Sequence, residues 1–526
     1  MADVAAAIRR LEDVVPRLHA EYRIPGMAVG LCDISGILWS RGFGTTSADT
    51  DQPVTTATRF SIQSCSKMYT ALCVLLAVRQ GLLDLDRPIT DYLPGFRVNS
   101  VFEDRPELQI TLRHLLSHTA GFTHEAPEGS NFLVGRTSFA AHCASIANTW
   151  LRFPVGHHYE YSNLGIDLAA RVVQQVSGKR FERFAQEELF DPLGLERTTF
   201  DHRVISADNE RAIGHDPDIP RPPLRMPMVG AGGVYTSIDD ACRFVSAHLR
   251  GQVAGLGPAE LAELVTVPYG APDQVLGYGL GTVVAEVDGI AIHGHSGGGF
   301  GFLSDMYWAP EAKLGIVVLT NSEDHDLPWR FATGVIGDLV GRQPTSAQEP
   351  LPTVTIPPST MHAVTGQYVG RFDVVDITAT DEDCVFTRAG ASTCMRFIDP
   401  RTFAGEDRPS DRFALRDADQ DGDPWYLTSL TDGTTWYRNA LPGMGTQDGP
   451  ADGPWNRTYA VRRNGTRVAT VRLRRGIGGT VIDDRYGNTL RLTRHRADLY
   501  VSSTGEALDL ARNPITYANI RLERIS

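Results

Sequence analysis

Over the first twenty-five or so positions apolar residues recur at helical spacing. Val4, Ile8, Leu11, Val15 and Leu18 share one face of MADVAAAIRRLEDVVPRLHAEYRIPG, which predicts an amphipathic helix. The period then changes: MAVGLCDISG and ILWSRGFG predict a strand, a turn at Gly36 and a returning strand. From Cys65 the run SKMYTALCVLLAVRQ is apolar nearly all round and stops at Gly81, the pattern of a buried helix. LGIDLAARVVQQVSG, after Asn163, predicts a second amphipathic helix ending at Gly178. Ser237, with Asp240 three residues on, forms a capping-box pattern that opens a third through CRFVSAHLRG. GFLSDMYWAP and KLGIVVLTN predict two strands joined at Pro310, Glu311 and Ala312, and PWRFATGVIGDLVG predicts one more helix. Strands at both ends with helices between define an α+β class: an antiparallel sheet, its terminal helices on one face, and a helical region inserted.

Near Arg342 the pattern changes. RQPTSAQEPLPTVTIPPST is rich in Pro, Ser and Thr and predicts a linker. Beyond it nearly every segment is a short strand between turn residues, from GQYVGRFDVV and CVFTRAG to ADLYVSS and ANIRLERI. About 180 residues of this kind suit two small antiparallel barrels or one large one. GMGTQDGPADGPWN marks the expected break between two, giving units at 1–345, 346–445 and 446–526.

A chain of 526 residues exceeds one hydrophobic core. Its 42% hydrophobic content includes no apolar run near the eighteen or so residues of a spanning helix, and the N-terminus carries no apolar segment of an export signal. A cytoplasmic protein with no membrane partner is expected. Seven cysteines, odd in number and without a CxxC pair, predict buried reduced thiols. The net charge of −13 argues against nucleic acid as a partner. Residues 451–526 nevertheless hold fourteen Arg against seven Asp plus Glu, and could dock on the acidic remainder or simply carry solvated strand faces.

Arginine is the default cation here, and lysine occurs only at 67, 179 and 313. That makes FSIQSCSKMY informative, because Ser64 stands at the mouth of the first buried helix with Lys67 one turn further along the same face. A hydroxyl becomes a nucleophile when something takes its proton, and a desolvated lysine can do so where an arginine cannot. The helix N-terminus favours an oxyanion beside Ser64. Ser-x-x-Lys by itself also describes a helix cap followed by a surface lysine, so further patterns matter.

Tyr161-Ser162-Asn163 begins the second helix, and His295-Ser296-Gly297 opens the Gly-rich strand GHSGGGFGF. With LLSHTAGF at 115–122 and AGGVYTSIDDACRF at 231–244, this order over residues 1 to about 345 resembles the serine β-lactamase and penicillin-binding protein superfamily, in its class C β-lactamase, D-alanyl-D-alanine carboxypeptidase and esterase branch. The resemblance implies Ser64 as nucleophile, Lys67 and Tyr161 sharing proton transfer, and Asn163 holding the substrate amide and orienting Lys67. It further implies an oxyanion hole of the Ser64 and Gly298 N–H groups, with Ser296 and Gly297 beside the substrate. His295 stands where β-lactamases carry the lysine of Lys-Thr-Gly, and a neutral imidazole anchors a carboxylate less well than an ammonium. That shifts the expectation from penicillin towards aminopeptidase, amidase and esterase activity.

Gly294 to Gly298 also matches G-x-S-x-G, which would make Ser296 the nucleophile, but that motif needs a helix directly after it and GGFGFLSDMYWAP predicts a strand. Asp417 to Gly422 opens like a calcium loop yet has Thr428 at position twelve, and His114, His118, His124, His142, His157 and His158 lack H-E-x-x-H spacing, so no metal or cofactor is expected. The three-unit layout looks like the D-aminopeptidase group, in which an appended barrel reaches the active site and selects substrates with a free amine. RRGIGGTVIDDRYGN at 474–488 is the segment expected to reach, with Asp483 or Asp484 pairing with an ammonium; an Asp-rich hairpin turn is the plain alternative. Small peptides, amides or esters are the expected substrates. A transacylase or peptide cyclase on the same chemistry, a non-catalytic binding protein and a homodimer complete the expectations.

Overall fold

The computed structural model describes residues 4–525 except 133–136, 217–223, 225, 270–275, 288, 324–331, 333, 338–352, 371–372, 381–382, 407, 419–423, 431–433, 440–453, 464 and 477–478. The helix expected at 328–341, the calcium-like loop and the break at 443–456 lie largely outside them.

The periodicities of the N-terminal part translate into α1 (Val4–Glu21), β1 (Gly26–Asp33) and β2 (Gly36–Gly44). Gly36 takes the positive φ of 130° that the turn requires. Helix α2 (Ser66–Arg79) buries every residue from Ser66 to Ala77, as an apolar-all-round sequence must. Helix α3 (Asn163–Ser177) is capped by the Ser162 side chain, which accepts from the Leu164 N–H, and is ended by left-handed Gly178. Helix α4 (Ile238–Leu249) starts at Ser237, whose side chain accepts from the Asp240 N–H. The expected reciprocal half of that capping box is absent, because the Asp240 carboxylate instead accepts from the Arg197 N–H and the Thr198 hydroxyl.

Five further strands follow: β3 (Leu276–Tyr278), β4 (Val283–Val287), β5 (Ile290–Gly299), β6 (Phe302–Ala309) and β7 (Leu314–Thr320). They join the first two in one antiparallel sheet of order β2-β1-β7-β6-β5-β4-β3. One face of the sheet packs on α1 through Leu11, Val15, Val29, Ile316 and Val318. The other packs on α4 and the helical region, in a core that runs through α2 and α3. The ladder between β4 and β5 ends at Val283 opposite Gly294, so on that side the β5 backbone from His295 to Gly299 is left open towards α2.

Eight strands between Gly366 and Arg438 close into a barrel filled by Phe386, Phe397, Phe403, Phe413 and Trp436. Nine more, from Arg457 to Arg524, form an antiparallel sheet whose edge strands, Ile520–Arg521 and Glu523–Arg524, follow one another in the chain and bring it nearly to closure. Val369 of the first barrel and Phe132 of the N-terminal unit pack on the core of the second. The C-terminal arginines serve both of the expected purposes. Arg521 pairs with Glu128 and Arg463 with Asp216 across the units, while Arg462 and Arg474 pair locally with Glu523 and Asp483.

Where the three units meet lies Arg152. Its guanidinium contacts Glu160 at 2.8 Å, donates twice to the Thr504 carbonyl and approaches Glu506 at 3.3 Å. Glu160 also accepts from the Tyr437 hydroxyl of the first barrel, and Glu506 accepts from Thr123. All seven cysteines are free thiols, six of them buried. Among the described residues no helix is long and apolar enough to cross a membrane.

Arg152→Met would keep the volume and strand two half-buried carboxylates without their cation, a change that costs about 3–5 kcal/mol in buried pairs. The expected calorimetric result is a separate, lower-temperature unfolding transition for the C-terminal barrels.

Candidate active site

Ser64 sits in a single 3₁₀ turn, Gln63–Cys65, that runs directly into α2. The turn is held from three sides. The Ile62 N–H donates to the Val234 carbonyl, the Ser304 hydroxyl donates to the Ile62 carbonyl, and the Cys65 thiol donates to the His295 carbonyl at 3.0 Å. Burial pushes the Cys65 thiol far up, so it packs rather than reacts. Gln63 carries a left-handed φ of 47°, local strain immediately before Ser64. Strand β5 presses on the turn so closely that a Cβ at Gly297 would lie 2.2 Å from the Ile62 carbonyl oxygen and 3.0 Å from the Ser64 nitrogen. Gly298 follows on the open edge of the same strand.

Lys67 is fully buried, and its Nζ lies 3.0 Å from Ser64 Oγ, 2.8 Å from Asn163 Oδ1 and 3.0 Å from the Ala231 carbonyl oxygen. Desolvation brings its pKa down to about 7, against the opposing pull of Asp167. The geometry fixes what the neutral amine does. Asn163 Oδ1 and the Ala231 carbonyl can only accept, so the two remaining N–H groups go to them and the lone pair faces the Ser64 hydroxyl. The Tyr161 ring lies over the same amine, its centroid 4.8 Å from Nζ.

His295 is neutral by burial, its pKa lowered to about 3 with Lys67 adding to the effect. Its Nδ1 faces the Ser296 carbonyl at 2.5 Å and must carry the proton, so Nε2 accepts from the Tyr278 hydroxyl at 2.8 Å. Ser296 lies within β5 rather than at a strand-to-helix turn, and its hydroxyl is engaged by Asp305 and by Tyr307 at 2.8 Å. The nucleophile-elbow alternative has no helix to rest on.

Three positioning residues were not singled out from the sequence, though one lies in a stretch that carried the resemblance. Asp167, one turn along α3 from Asn163, accepts from the N–H groups of Gly230 and Ala231 and pairs with buried His142 at 3.1 Å. It thereby sets the Ala231 carbonyl that receives Lys67. His118, within LLSHTAGF, takes a left-handed φ of 60° and accepts the Ser162 N–H on Nδ1. Its ring packs 4.4 Å from that of Tyr161, and its buried Nε2 has no hydrogen-bond partner among the described residues.

A cavity of about 360 Å³ opens beyond Tyr161, between the catalytic part and both barrels. Among the described residues of its walls are Glu125, Glu160, Asp373, Asp484 and Glu506, against Arg152, Arg388 and Arg485, two more carboxylates than guanidinium groups. The two expected aspartates separate here. Asp483 ends a strand, bound by Arg474 at 2.5 Å and by the Thr489 hydroxyl, and is not among the wall residues. Asp484 lines the cavity from the following turn, its Oδ1 accepting the Tyr486 and Asn488 N–H groups.

A family model described as Beta-lactamase matches residues 11–339, more than half of the chain. The chain belongs to the β-lactamase family. With it the chain takes its place among serine hydrolases. Penicillin-binding protein 4 of Amycolatopsis lactamdurans is 28% identical over 363 residues, 65% of this chain and 91% of that protein. Esterase EstB of Burkholderia gladioli is 27% identical, over 60% of this chain and 90% of its own. The structure of a D-stereospecific amidohydrolase from a Streptomyces species superposes with a TM-score of 0.50 at 24% identity, covering 64% of this chain and 98% of that one, a likeness of fold.

For a β-lactamase-family site in which a neutral lysine is the base, kcat/KM for an uncharged ester should rise with pH to a plateau, with a midpoint near 7, as Lys67 loses its proton. His295, neutral throughout, adds no step between pH 5 and 9. Lys67→Arg cannot deprotonate and is expected to lose about 10²–10⁴-fold; a stopped-flow pH series on both proteins checks both statements.

Proposed function

We propose that the chain is a serine amidase or peptidase, with esterase activity, that acylates Ser64 and selects small substrates bearing a free amine, D-configured N-terminal residues above all. The lone pair of Lys67 facing the Ser64 hydroxyl carries this reading. Ser64 Oγ attacks the carbonyl carbon as its proton passes to Lys67 Nζ. The oxyanion forms against the Ser64 and Gly298 N–H groups. As the intermediate collapses, the leaving group takes a proton through Tyr161, and water then repeats the sequence on the acyl-enzyme. Asn163 holds Lys67 and the substrate amide, while Ser296 and Gly297 shape the strand beside it.

Neutral His295 is a poor anchor for a carboxylate, which argues against penicillin-like acids. The excess of carboxylates among the described walls of the cavity beyond Tyr161 suits an ammonium group, and the second barrel contributes Asp484 and Glu506 to it. The D-stereospecific amidohydrolase of like fold and the esterase relative agree with amide and ester substrates. Walls from three units around that cavity also favour a second reading, in which a bound amine replaces water as acyl acceptor; partitioning of the acyl-enzyme between water and added amine separates the two.

Asp484→Asn is expected to raise KM for D-alanine p-nitroanilide about tenfold and leave p-nitrophenyl acetate unchanged, as loss of one charge-assisted hydrogen bond predicts. Asp483→Asn should leave both unchanged. Intact mass spectrometry after fluorophosphonate treatment should place the adduct on Ser64. An adduct on Ser296, or none, overturns the assignment.

A further inference from the structure

A second cavity, of about 230 Å³, shares Tyr159 and Tyr161 with the carboxylate-rich one and adds His295 and Ser296 to its walls. Five tyrosines line it, Tyr159, Tyr161, Tyr269, Tyr278 and Tyr307, and Leu276 and Val283 complete the wall beside His295 and Ser296. At least three of the five phenol groups are spent on the protein. Tyr278 donates to His295 Nε2, Tyr307 meets the Ser296 hydroxyl, and Tyr269 reaches Tyr426 of the first barrel. What these residues offer an occupant is therefore mainly ring surface. Two of their contacts are edge-to-face, Tyr161 on Tyr278 at 85° and Tyr278 on His295 at 89°, with centroids 6.1 and 5.6 Å apart. Among the described residues no Asp, Glu, Lys or Arg lines this cavity, and its one imidazole is neutral.

An apolar cavity of about 150 Å³ already admits benzene. This one is larger and walled by aromatic edges and faces, the surroundings that aromatic rings prefer. It shares Tyr161 and His295 with the reaction centre. The charged side chains line the other cavity, and under the function proposed above that one takes the amine-bearing acyl half. The remaining half of the substrate is the one that departs.

We propose that the tyrosine-lined cavity is the leaving-group subsite, and that it selects substrates whose leaving alcohol or amine carries an uncharged aromatic ring. The assignment rests on Ser64 acylation as proposed above and adds to it the chemical class of the departing group. Hydrolysis releases that group as a neutral aromatic alcohol or amine, while the acyl half stays on Ser64 until water removes it.

The test uses the full chain and two pairs of esters, benzyl and methyl acetate and the benzyl and methyl esters of D-alanine, each pair sharing one acyl-enzyme. The expected result is a benzyl preference in kcat/KM of about tenfold or more within a pair, the value of burying one ring. Val283→Phe fills the cavity and should abolish the preference, leaving methyl esters within about twofold and deacylation of the common acyl-enzyme unchanged. Leu276→Ala enlarges it and should shift preference from benzyl towards naphthylmethyl esters, which guards against a Val283→Phe protein that fails to fold. Turnover through Ser64 with a flat benzyl-to-methyl ratio in the unaltered enzyme overturns the subsite alone. A Val283→Phe change that slows deacylation places the acyl half there and also overturns it. Turnover that survives Ser64→Ala, or none with all four esters, removes the parent reading and this one with it.

Discussion

A buried primary amine that no carboxylate touches among the described residues is the constraint around which the N-terminal unit is organised. Taking an ammonium out of water is costly, and the protein answers by letting Lys67 lose its proton near neutrality rather than by pairing it. Two carbonyl-type acceptors then use up its N–H groups, and the lone pair has one place to point. Charge, hydrogen-bond count and reactivity are thus set by the same burial. A cation held at that position by a carboxylate would be better satisfied and chemically idle.

Holding the acceptors in place is itself a structural problem, since one of them is a backbone carbonyl. Asp167 solves it from the helix that carries Asn163, its Oδ1 gathering the N–H groups of Gly230 and Ala231. The Gly230 carbonyl beyond them receives the Thr70 hydroxyl of α2. Asp167 could neutralise Lys67 if it came closer. His142 occupies its other oxygen and, despite the cost of burial, is held above its ordinary pKa by that contact, while the carboxylate's pull on Lys67 is outweighed by desolvation. Strain at Gln63 and His118 lies within the same small volume, where the surrounding packing can sustain it.

Much of this was legible in the chain, and the boundary of legibility is physical. Ser64 and Lys67 could be paired from spacing because a helical turn is local, and the scarcity of lysine said that the residue type mattered. The sheet, its hairpin and the helix ends followed from period and from Gly36, Gly81 and Gly178. Asp167 and His142 could not be paired, because twenty-five positions separate them and neither sits in a recurrent pattern. Asp240 looked like a capping residue and met its Ser237, yet a backbone N–H from a distant loop competed for its carboxylate. Asp483 and Asp484 are neighbours in sequence with opposite fates, since one ends a strand facing an arginine and the next begins the turn that lines the cavity. A sequence motif locates such a turn but not which of two adjacent carboxylates it presents.

The C-terminal barrels raise a final question of why a complete hydrolase fold carries 180 or so further residues. Their contacts supply the answer. The catalytic part offers Tyr161, Glu160 and Glu125 on one side of the reaction centre, but that side becomes a walled cavity only where residues 370–437 and 461–522 close over it. Arg152 makes the closure specific, because its guanidinium needs Glu160 from its own unit and Thr504 and Glu506 from the second barrel, with Tyr437 of the first completing Glu160. Leaving any of these partners out exposes a buried charge, so the units gain by assembling in one arrangement. The barrels therefore contribute enclosure: they set which charges line the cavity, while Lys67 and Asn163 are already held together by α2 and α3.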